Sequence, residues 1–252
     1  MVFEPNIGLI TVRKTPTANE CNYFMVSDNI IVNGAIRSDN QSIDTIFPLY
    51  LKNKSLPIST QKEQRSQNFS HEFLAAITNK LGYTPTPEAI FYYIYAVFHS
   101  PIYRSRYAQF LKIDFPRVPL TSNDVLFRQL AIYGEELVAL HLMKSAKLDT
   151  LVTQFVDMGG DRTVDPGQPK YDEIDRSVLI NKKGAKFTGV PKAVWEFYVG
   201  GYQVCHKWLK DRKGRTLSES DITHYQRMVV ALQETMRLMQ QIDEAIPGFP
   251  IE

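Results

Sequence analysis

Residues 88–99 constrain the fold of this chain most, because they place aromatic side chains on almost every side of one helix. Thr86 and Pro87 give that helix an N-cap residue and a proline at its first position. Its large side chains are Phe91, Tyr92, Tyr93, Tyr95 and Phe98. A helix that is apolar nearly all round is usually buried in the centre of a domain. The sequence therefore predicts a helical subdomain, residues 70–150, built around this segment.

Start and stop signals predict three further helices in this subdomain. They cover residues 70–81, 102–111 and 123–148. Ser70 caps the first of them and Gly82 ends it, while Pro101 separates the second from the aromatic helix.

Short apolar runs on both sides of the helices predict strands. The β-rich start, residues 1–60, contains runs at 7–13, 23–26, 30–32 and 47–51. Pro48 favours an edge position for the last run, and Asn33-Gly34 is a strong turn signal after the third. Residues 52–69 are polar and indicate a surface loop or linker.

Residues 151–216 predict a second β-rich part with recognition loops. Apolar runs at 153–157 and 177–180 indicate short strands, and Lys183-Gly184 supplies a turn. Residues 159–168 have no apolar period, which is typical of a loop.

A long amphipathic helix closes the chain over residues 217–246, with capping-box character at its start. Its apolar seam at 3-4 spacing consists of Ile222, Tyr225, Val229, Leu232, Met236 and Met239. Such a seam marks packing against a neighbouring helix or domain. The order of strands, helices, strands and a closing helix predicts an α+β fold.

The composition excludes several classes of protein. The 252 residues are 44% hydrophobic, as in a globular protein, and no apolar run approaches the roughly eighteen residues that cross a bilayer. The N-terminus lacks the features of a signal peptide. Cys21 and Cys205 are too few for a four-cysteine zinc site and fit a reducing compartment. We therefore expect a cytoplasmic protein with no membrane contact.

Positive charge is concentrated in residues 182–215, which hold nine Lys/Arg and two Asp/Glu, a net charge of +7. The whole chain carries +2, so the remainder sums to −5. This asymmetry favours a polyanionic partner over a uniformly solvated surface.

Catalytic motifs are absent from the sequence. It has no P-loop, dinucleotide-binding glycine pattern, nucleophile elbow or His-Glu-x-x-His pair, and its five histidines are scattered. One nuclease-like pattern stays open as an alternative. Asp161 and Asp165 precede Gln168 and Lys170, as acidic residues precede a Gln-x-Lys pair in metal-dependent nucleases.

Five segments carry a family resemblance along almost the whole chain. They are residues 6–13 (Asn-Ile-Gly-Leu-Ile-Thr-Val-Arg), 47–51 (Phe-Pro-Leu-Tyr-Leu), 92–107 (Tyr-Tyr-Ile-Tyr-Ala-Val-Phe-His-Ser-Pro-Ile-Tyr-Arg-Ser-Arg-Tyr), 194–218 (Val-Trp-Glu-Phe-Tyr-Val-Gly-Gly-Tyr-Gln-Val-Cys-His-Lys-Trp-Leu-Lys-Asp-Arg-Lys-Gly-Arg-Thr-Leu-Ser) and 221–242. In this order they resemble the C-terminal specificity region of type ISP restriction–modification enzymes.

The resemblance implies a target-recognition region, residues 1–252, that binds double-stranded DNA for an N6-adenine methyltransferase. The chain lacks the Asn-Pro-Pro-Tyr tetrapeptide of such methyltransferases, so we expect it to be non-catalytic and without a cofactor of its own. S-adenosylmethionine is expected in the associated methyltransferase. That enzyme would lie on a longer parent polypeptide or on a separate subunit.

Two sets of residues are then predicted to contact DNA. The phosphate contacts are Lys182, Lys183, Lys186, Lys207, Lys210, Arg212, Lys213 and Arg215. The base-reading residues are Arg162, Gln168, Lys170 and Asn181, with Arg162 suited to guanine and the two amides to adenine edges. The charge asymmetry favours DNA over a solvated surface for the first set. For the second set, an ordinary exposed loop stays open as the alternative.

Two further groups have alternative interpretations. Tyr103, Arg104 and Arg106 are predicted to contact the DNA backbone or the methyltransferase, or else to be core and solvated arginines. The spacing of Trp195, Tyr198 and Tyr202 places them on one helical face, so together with Trp208 they are assigned to packing. The competing function is a protein-interaction module that docks a partner through the aromatic helix and the closing seam.

Overall fold

A computed structural model describes residues 6–15, 22–31, 44–52, 65–157 and 159–251. The chain divides into two compact units, one formed by Met1–Leu142 and Leu238–Glu252 and the other by Met143–Arg237. Both units combine helices with antiparallel sheets, as the α+β prediction required. Within the described ranges, no helix is long and apolar enough to cross a membrane.

The first unit begins with two small antiparallel sheets. Its strands are β1 (Gly8–Val12), β2 (Phe24–Ser27), β3 (Asp44–Pro48), β4 (Tyr50–Lys52) and β5 (Arg65–Gln67). The order β2-β1-β3 confirms an edge position for the strand that ends at Pro48, and β4 pairs with β5. Residues 65–67 were predicted as loop and are a strand instead, because pairing with β4 satisfies their polar backbone. Ile30 and Ile31 are not in a strand, and the predicted Asn33-Gly34 turn lies outside the described residues.

Within the residues that the structure describes, five helices follow these sheets in the first unit. They are α1 (His71–Leu81), α2 (Pro87–His99), α3 (Pro101–Arg106), α4 (Ala108–Leu111) and α5 (Asp124–His141). The predicted caps are present, since the side chains of Ser70, Thr86 and Asn123 accept backbone hydrogen bonds at the starts of α1, α2 and α5. Gly82 ends α1 in the left-handed conformation.

The helix predicted over residues 123–148 is shorter than its sequence pattern. It ends at His141, and Met143 adopts a left-handed φ of 58°. A short 3-10 helix, Ala146–Asp149, follows in the second unit and is capped by Ser145. Leu148 continues the apolar period across this break and is buried, which explains why periodicity alone extended the helix.

The aromatic helix α2 is buried as predicted, and it packs closely on α5. Tyr93 and Tyr95 are fully buried, and the Tyr93 ring lies 4.9 Å from that of Phe127. Gly134 permits this approach, because a Cβ at that position would stand 1.8 Å from the carbonyl oxygen of Tyr92. The helical subdomain thus depends on a glycine in the middle of α5.

The second unit is built on one antiparallel sheet of order β6-β9-β8-β7. Its strands are β6 (Gln154–Val156), β7 (Lys170–Asp172), β8 (Ser177–Leu179) and β9 (Lys186–Thr188). The predicted turn at Lys183-Gly184 connects β8 to β9. The predicted loop at 159–168 leads into β7.

The remaining elements follow the sheet along the chain. They are α6 (Lys192–Trp195), β10 (Tyr198–Val199), β11 (Tyr202–Gln203), α7 (Val204–Lys210) and α8 (Glu219–Ala245). The predicted capping box begins α8, because the Ser218 hydroxyl accepts from the N–H of Asp221 and the Asp221 carboxylate accepts from the N–H of Ser218. Residues 219–237 of α8 belong to the second unit and residues 238–245 to the first.

The seam of α8 is buried as its spacing predicted, except for Met236, which is partly buried. Tyr225 is fully buried, and its ring lies 4.2 Å from Phe187 of the sheet and 5.4 Å from Trp208 of α7. Cys205 and Val229 belong to the same apolar cluster. The sheet, α7 and the first part of α8 therefore share one core.

Replacing Gly134 with Ala should destabilise the protein by about 3 kcal/mol or more, since the new methyl group overlaps the backbone of α2. Urea unfolding measures the loss. Gly248→Ala is the matched control, because a Cβ there meets no atom within 4 Å. Equal stability of the two variants would contradict the close α2–α5 contact.

Candidate nucleic-acid interface

Residues 161–165 hold two cationic turns of the second unit together. On one edge, the N–H of Val164 donates to the carbonyl of Arg215 (3.0 Å), and the N–H of Gly214 donates to the carbonyl of Val164 (2.8 Å). On the other edge, the N–H of Asp165 donates to the carbonyl of Ile180 (2.9 Å), just before the Lys182–Lys183 turn. The sequence separates these two turns by thirty residues or so, whereas the fold places both against one loop.

We name the cationic rim as the four exposed cations of these turns: Lys182, Lys183, Lys213 and Arg215. Lys182, Lys213 and Arg215 have no ion-pair partner among the residues that the structure describes. Lys183 pairs with Asp161 at 2.9 Å, and its side chain is still 69% exposed. An exposed pair of this kind contributes little to stability, so Lys183 remains available to an anion.

The buried side chain of Asn181 joins the loop at 161–165 to the Lys182–Lys183 turn by hydrogen bonds. It is 1% exposed, and its Nδ2 donates to the carbonyls of Asp161 (2.7 Å) and Thr163 (3.2 Å). Its Oδ1 accepts from the N–H groups of Lys183 (3.1 Å) and Ala185 (3.0 Å). The predicted contact of Asn181 with a base edge is therefore wrong for this geometry, because both ends of the amide are occupied inside the protein.

Two carboxylates complete the turn network. Oδ1 of Asp161 accepts from the N–H of Thr163 (2.9 Å), and the Lys183 ammonium together with this bond lowers the pKa of Asp161 to about 2. Oδ2 of Asp165 accepts from the N–H of Lys182 (2.8 Å). Both acids are thus engaged with backbone N–H groups, and Asp161 also with the Lys183 ammonium.

The nuclease alternative is not supported by this arrangement. No group of three His, Cys, Asp or Glu side chains within the described ranges is arranged to hold a metal ion. His99 and His141 do approach each other in the first unit, with ring centroids 5.3 Å apart. Burial lowers the pKa of His141 to about 4, and the Tyr95 hydroxyl lies 2.6 Å from its Nδ1, so this pair is neutral core.

Three other predicted phosphate contacts differ in whether a carboxylate already pairs with them. Lys210 is exposed at the end of α7, with no ion pair within the described part of the chain. Lys186 pairs with Asp175 and Lys207 with Asp211. These pairs are partly exposed, so the two lysines can exchange a carboxylate for a phosphate at small cost.

Arg212 has a structural role that the sequence did not indicate. Its guanidinium carbon lies 3.4 Å from the centroid of the Trp208 ring, and its side chain bonds to the Trp208 carbonyl (3.1 Å) and to Asp221 (3.3 Å). His224 stacks on Trp208 at 5.6 Å. Arg212 therefore joins α7 to the start of α8, and the phosphate contact predicted for it does not fit its position.

The three remaining base-reading candidates lie around the loop. Arg162 is held between Asp157 (3.2 Å) and Glu219, with a third of its side chain exposed. Lys170 is exposed at the start of β7. Gln168 is half-buried, and its Oε1 is enclosed with no hydrogen-bond partner in the described structure. Arg162 and Lys170 thus present charge near the loop surface, whereas Gln168 presents little of its amide.

Of the three predicted contact residues in the helical subdomain, one lies in the core and two lie nearer the surface. Tyr103 is 1% exposed, packs against Phe98 and Phe249, and donates its hydroxyl to the carbonyl of Arg117 (2.7 Å). The surface contact predicted for Tyr103 is therefore wrong, and its core alternative is right. Arg104 is half-buried and Arg106 is exposed.

The prediction that Trp195, Tyr198, Tyr202 and Trp208 all pack in the core is also wrong in part. Trp195 is 9% exposed and packs face to face on Tyr171, as predicted. Tyr198 and Tyr202 instead lie in the β10–β11 hairpin and are 51% and 38% exposed. The Gly200-Gly201 pair between them is a two-residue hairpin turn signal, and it would have revealed the ribbon.

The chain is similar to known proteins both in family and in fold. A family model described as the Type ISP C-terminal specificity domain matches residues 1–241. No curated protein matches the chain. Solved structures with a similar fold include the ATP-dependent Type ISP restriction-modification enzyme LlaBIII bound to DNA, with 17% identity and a TM-score of 0.70. This similarity covers 99% of the chain but only 16% of LlaBIII.

Two other DNA complexes have related folds. A DrdV–DNA complex is 19% identical with a TM-score of 0.69, over 97% of this chain and 25% of that one. A nuclease-deletion mutant of the Type ISP enzyme LlaGI with a DNA substrate mimic is 18% identical with a TM-score of 0.63, over 99% and 22%. The chain therefore spans a quarter or less of each of these proteins.

Asn181→Ala should lower the free energy of unfolding by about 2–4 kcal/mol, because it leaves two backbone N–H groups and two carbonyls without their partner. Urea unfolding tests this. Lys182→Ala, one residue away and exposed, is the control and should change stability by about 0.5 kcal/mol at most. A small effect of both substitutions would show that the amide does not organise the rim.

Proposed function

The chain belongs to the family of Type ISP C-terminal specificity domains, and on that premise we propose that it recognises a target sequence in double-stranded DNA for an N6-adenine methyltransferase. The observation that carries the proposal is the convergence of two cationic turns on the loop at 161–165. The DNA in the three similar complexes supports the same ligand.

The cationic rim contacts the DNA backbone. Its members are exposed, and three of them have no competing ion pair among the described residues. Each lysine or arginine that neutralises a phosphate releases condensed counterions, which supplies affinity without reading sequence. Lys210 extends this surface along α7, and Lys186 and Lys207 join it when they exchange their carboxylate partners.

Base reading belongs to the loop between the two turns. Residues 161–165 are fixed on both edges by backbone hydrogen bonds, so a groove that meets the rim also meets this loop. Arg162 has the planar donor pair that fits guanine, and Lys170 is exposed where the loop enters β7. Two carboxylates orient the Arg162 guanidinium before DNA binds, and a base must displace at least part of that pairing.

Catalysis lies outside this chain in the proposal. The sequence has no Asn-Pro-Pro-Tyr tetrapeptide and no glycine motif for a cofactor, so S-adenosylmethionine would be bound by the methyltransferase. The specificity domain and the methyltransferase act together on cytoplasmic DNA, either in one polypeptide or as two subunits.

The competing function is a protein-interaction module that docks a partner through the aromatic helix and the seam of α8. Tyr93 and Tyr95 of the aromatic helix are fully buried within the first unit. Tyr225 and Val229 of the closing seam are fully buried within the second. These side chains are therefore already engaged within the protein, which favours DNA recognition over a docking role.

The salt dependence of DNA binding tests the rim. A triple variant, Lys182→Gln, Lys213→Gln and Arg215→Gln, should reduce the slope of log K against log salt by about 3, because each lost phosphate contact removes about 1. Fluorescence anisotropy with a labelled duplex at several salt concentrations measures the slope.

The matched control removes three exposed cations of the first unit, Lys14, Lys80 and Arg117, by the same substitutions. It makes the same change in net charge and should leave the slope nearly unchanged. Equal slopes for the two triple variants would refute the rim, and failure of the unsubstituted chain to bind the duplex in 50 mM salt would refute the proposed function.

Selection from a random duplex pool tests base reading by Arg162. Arg162→Ala should abolish preference at one base pair, a loss of about 1–3 kcal/mol of discrimination, and leave the others intact. Asp157→Asn is the control, since it removes one of the carboxylate partners and keeps the guanidinium. Uniform weakening at all positions by Arg162→Ala would contradict a base contact.

A further inference from the structure

We propose that Glu219 is a second base-reading residue, which accepts a hydrogen bond from the N4 amino group of the cytosine paired with the guanine that Arg162 reads. Together the two side chains recognise both bases of one G·C pair in the major groove. This inference rests on the proposed function and adds to it a residue outside the loop at 161–165.

The backbone places Glu219 beside this loop. The N–H of Leu217 donates to the carbonyl of Arg162 (3.0 Å), and Thr163 and Thr216 form an antiparallel bridge. Glu219 follows two positions after Leu217, as the first residue of α8. The segment that leads into α8 therefore runs along one edge of the loop, from the cationic rim to Glu219.

The side chain of Glu219 is paired with Arg162 and is still largely exposed. Its Oε1 accepts from Nη1 of the Arg162 guanidinium, and 79% of the side chain is exposed. An exposed ion pair of this kind contributes little to stability. The carboxylate can therefore exchange its partner for a hydrogen-bond donor that approaches the loop.

The other acids around the loop are engaged by its backbone. Asp161 and Asp165 each accept from a backbone N–H (2.9 and 2.8 Å). Asp157 accepts from the N–H of Gly159 (3.2 Å) and is 17% exposed in its side chain. These three acids stabilise the turns of the loop, whereas the Glu219 carboxylate is paired with the side chain proposed to read guanine.

The two carboxylate partners of Arg162 differ in how easily a base displaces them. Nε of Arg162 donates to Oδ2 of Asp157 (3.2 Å), which fixes that side of the guanidinium against a largely buried acid. Glu219 lies on the Nη1 side and is mostly exposed. A guanine that takes the Nη1 donor therefore leaves the Glu219 carboxylate beside the same base pair.

The major-groove edge of that base pair has a partner for a carboxylate. A carboxylate only accepts hydrogen bonds, and the phosphates of DNA repel its charge, so it is favourable in the groove only next to a base donor. Guanine presents acceptors at N7 and O6, whereas the cytosine paired with it presents the N4 amino donor. The base pair that satisfies Arg162 therefore also supplies the donor that Glu219 needs.

The position of Glu219 in α8 also tolerates this exchange. Glu219 lies in the first turn of a helix of 27 residues. The N-terminus of a helix carries a partial positive charge, which favours an acidic side chain in its first turn. The carboxylate therefore remains in a favourable position when Arg162 turns toward a base.

A base analogue tests the contact. Duplex selection first identifies the guanine whose preference Arg162→Ala abolishes. N4-methylcytosine opposite that guanine keeps the base pair and replaces the groove-facing N–H with a methyl group. By fluorescence anisotropy, the unsubstituted chain should bind this duplex about 10-fold to 100-fold more weakly than the unmodified one, because a hydrogen bond to a charged group is lost. Glu219→Ala should bind both duplexes equally.

Glu173→Ala is the matched control, because Glu173 is also an exposed acid of the second unit and pairs with Lys192 at 2.7 Å. It makes the same change in net charge and should keep the full sensitivity to N4-methylcytosine. Urea unfolding should show that both variants are folded.

Three results would overturn the Glu219 contact while the proposed function stands. They are equal sensitivity to N4-methylcytosine in Glu219→Ala and the unsubstituted chain, no sensitivity in the unsubstituted chain, and no guanine preference that depends on Arg162. Failure of the unsubstituted chain to bind any duplex overturns the proposed function as well, so the two failures are distinguishable.

Discussion

The buried amide of Asn181 is the interaction on which the candidate interface depends. One planar group donates to two carbonyls of the loop and accepts from two N–H groups of the next turn. Each buried backbone group needs a partner, so the loop and the turn can adopt this arrangement only together. A residue that looked like a reader of bases is instead the support on which charged neighbours are held.

Some cations of the second unit stabilise its fold, whereas others remain exposed to solvent. Arg212 lies on Trp208 and bonds to Asp221, while Lys182, Lys213 and Arg215 stay exposed at the turns. Lys183 is intermediate, because its partner Asp161 also caps the N–H of Thr163. Carboxylates next to the rim thus shape the backbone and reduce the local positive charge only in part.

Most of the elements could be predicted from local signals. Ser70, Thr86 and Asn123 cap helices as predicted, and the burial of α2 followed from its aromatic side chains. Residues 65–67 could not be identified as a strand, because polar side chains give no period and only the pairing with β4 orders them. The end of α5 at His141 does not follow from the sequence, because apolar periodicity continues through a break in the backbone. The spacing of Trp195, Tyr198 and Tyr202 predicts one helical face, but the pairing of Tyr198–Val199 with Tyr202–Gln203 around two glycines forms a hairpin instead.

The sequence by itself determined the α+β order, the buried seam of α8, the family resemblance and the positive charge of residues 182–215. Those properties are local or additive along the chain. Only the tertiary structure decided which cations are free, because ion pairs and stacking join residues that are distant in sequence, as Arg162 and Glu219 are. It also decided that Tyr198 and Tyr202 face outward while Asn181 faces inward, since burial depends on the packing of the whole unit.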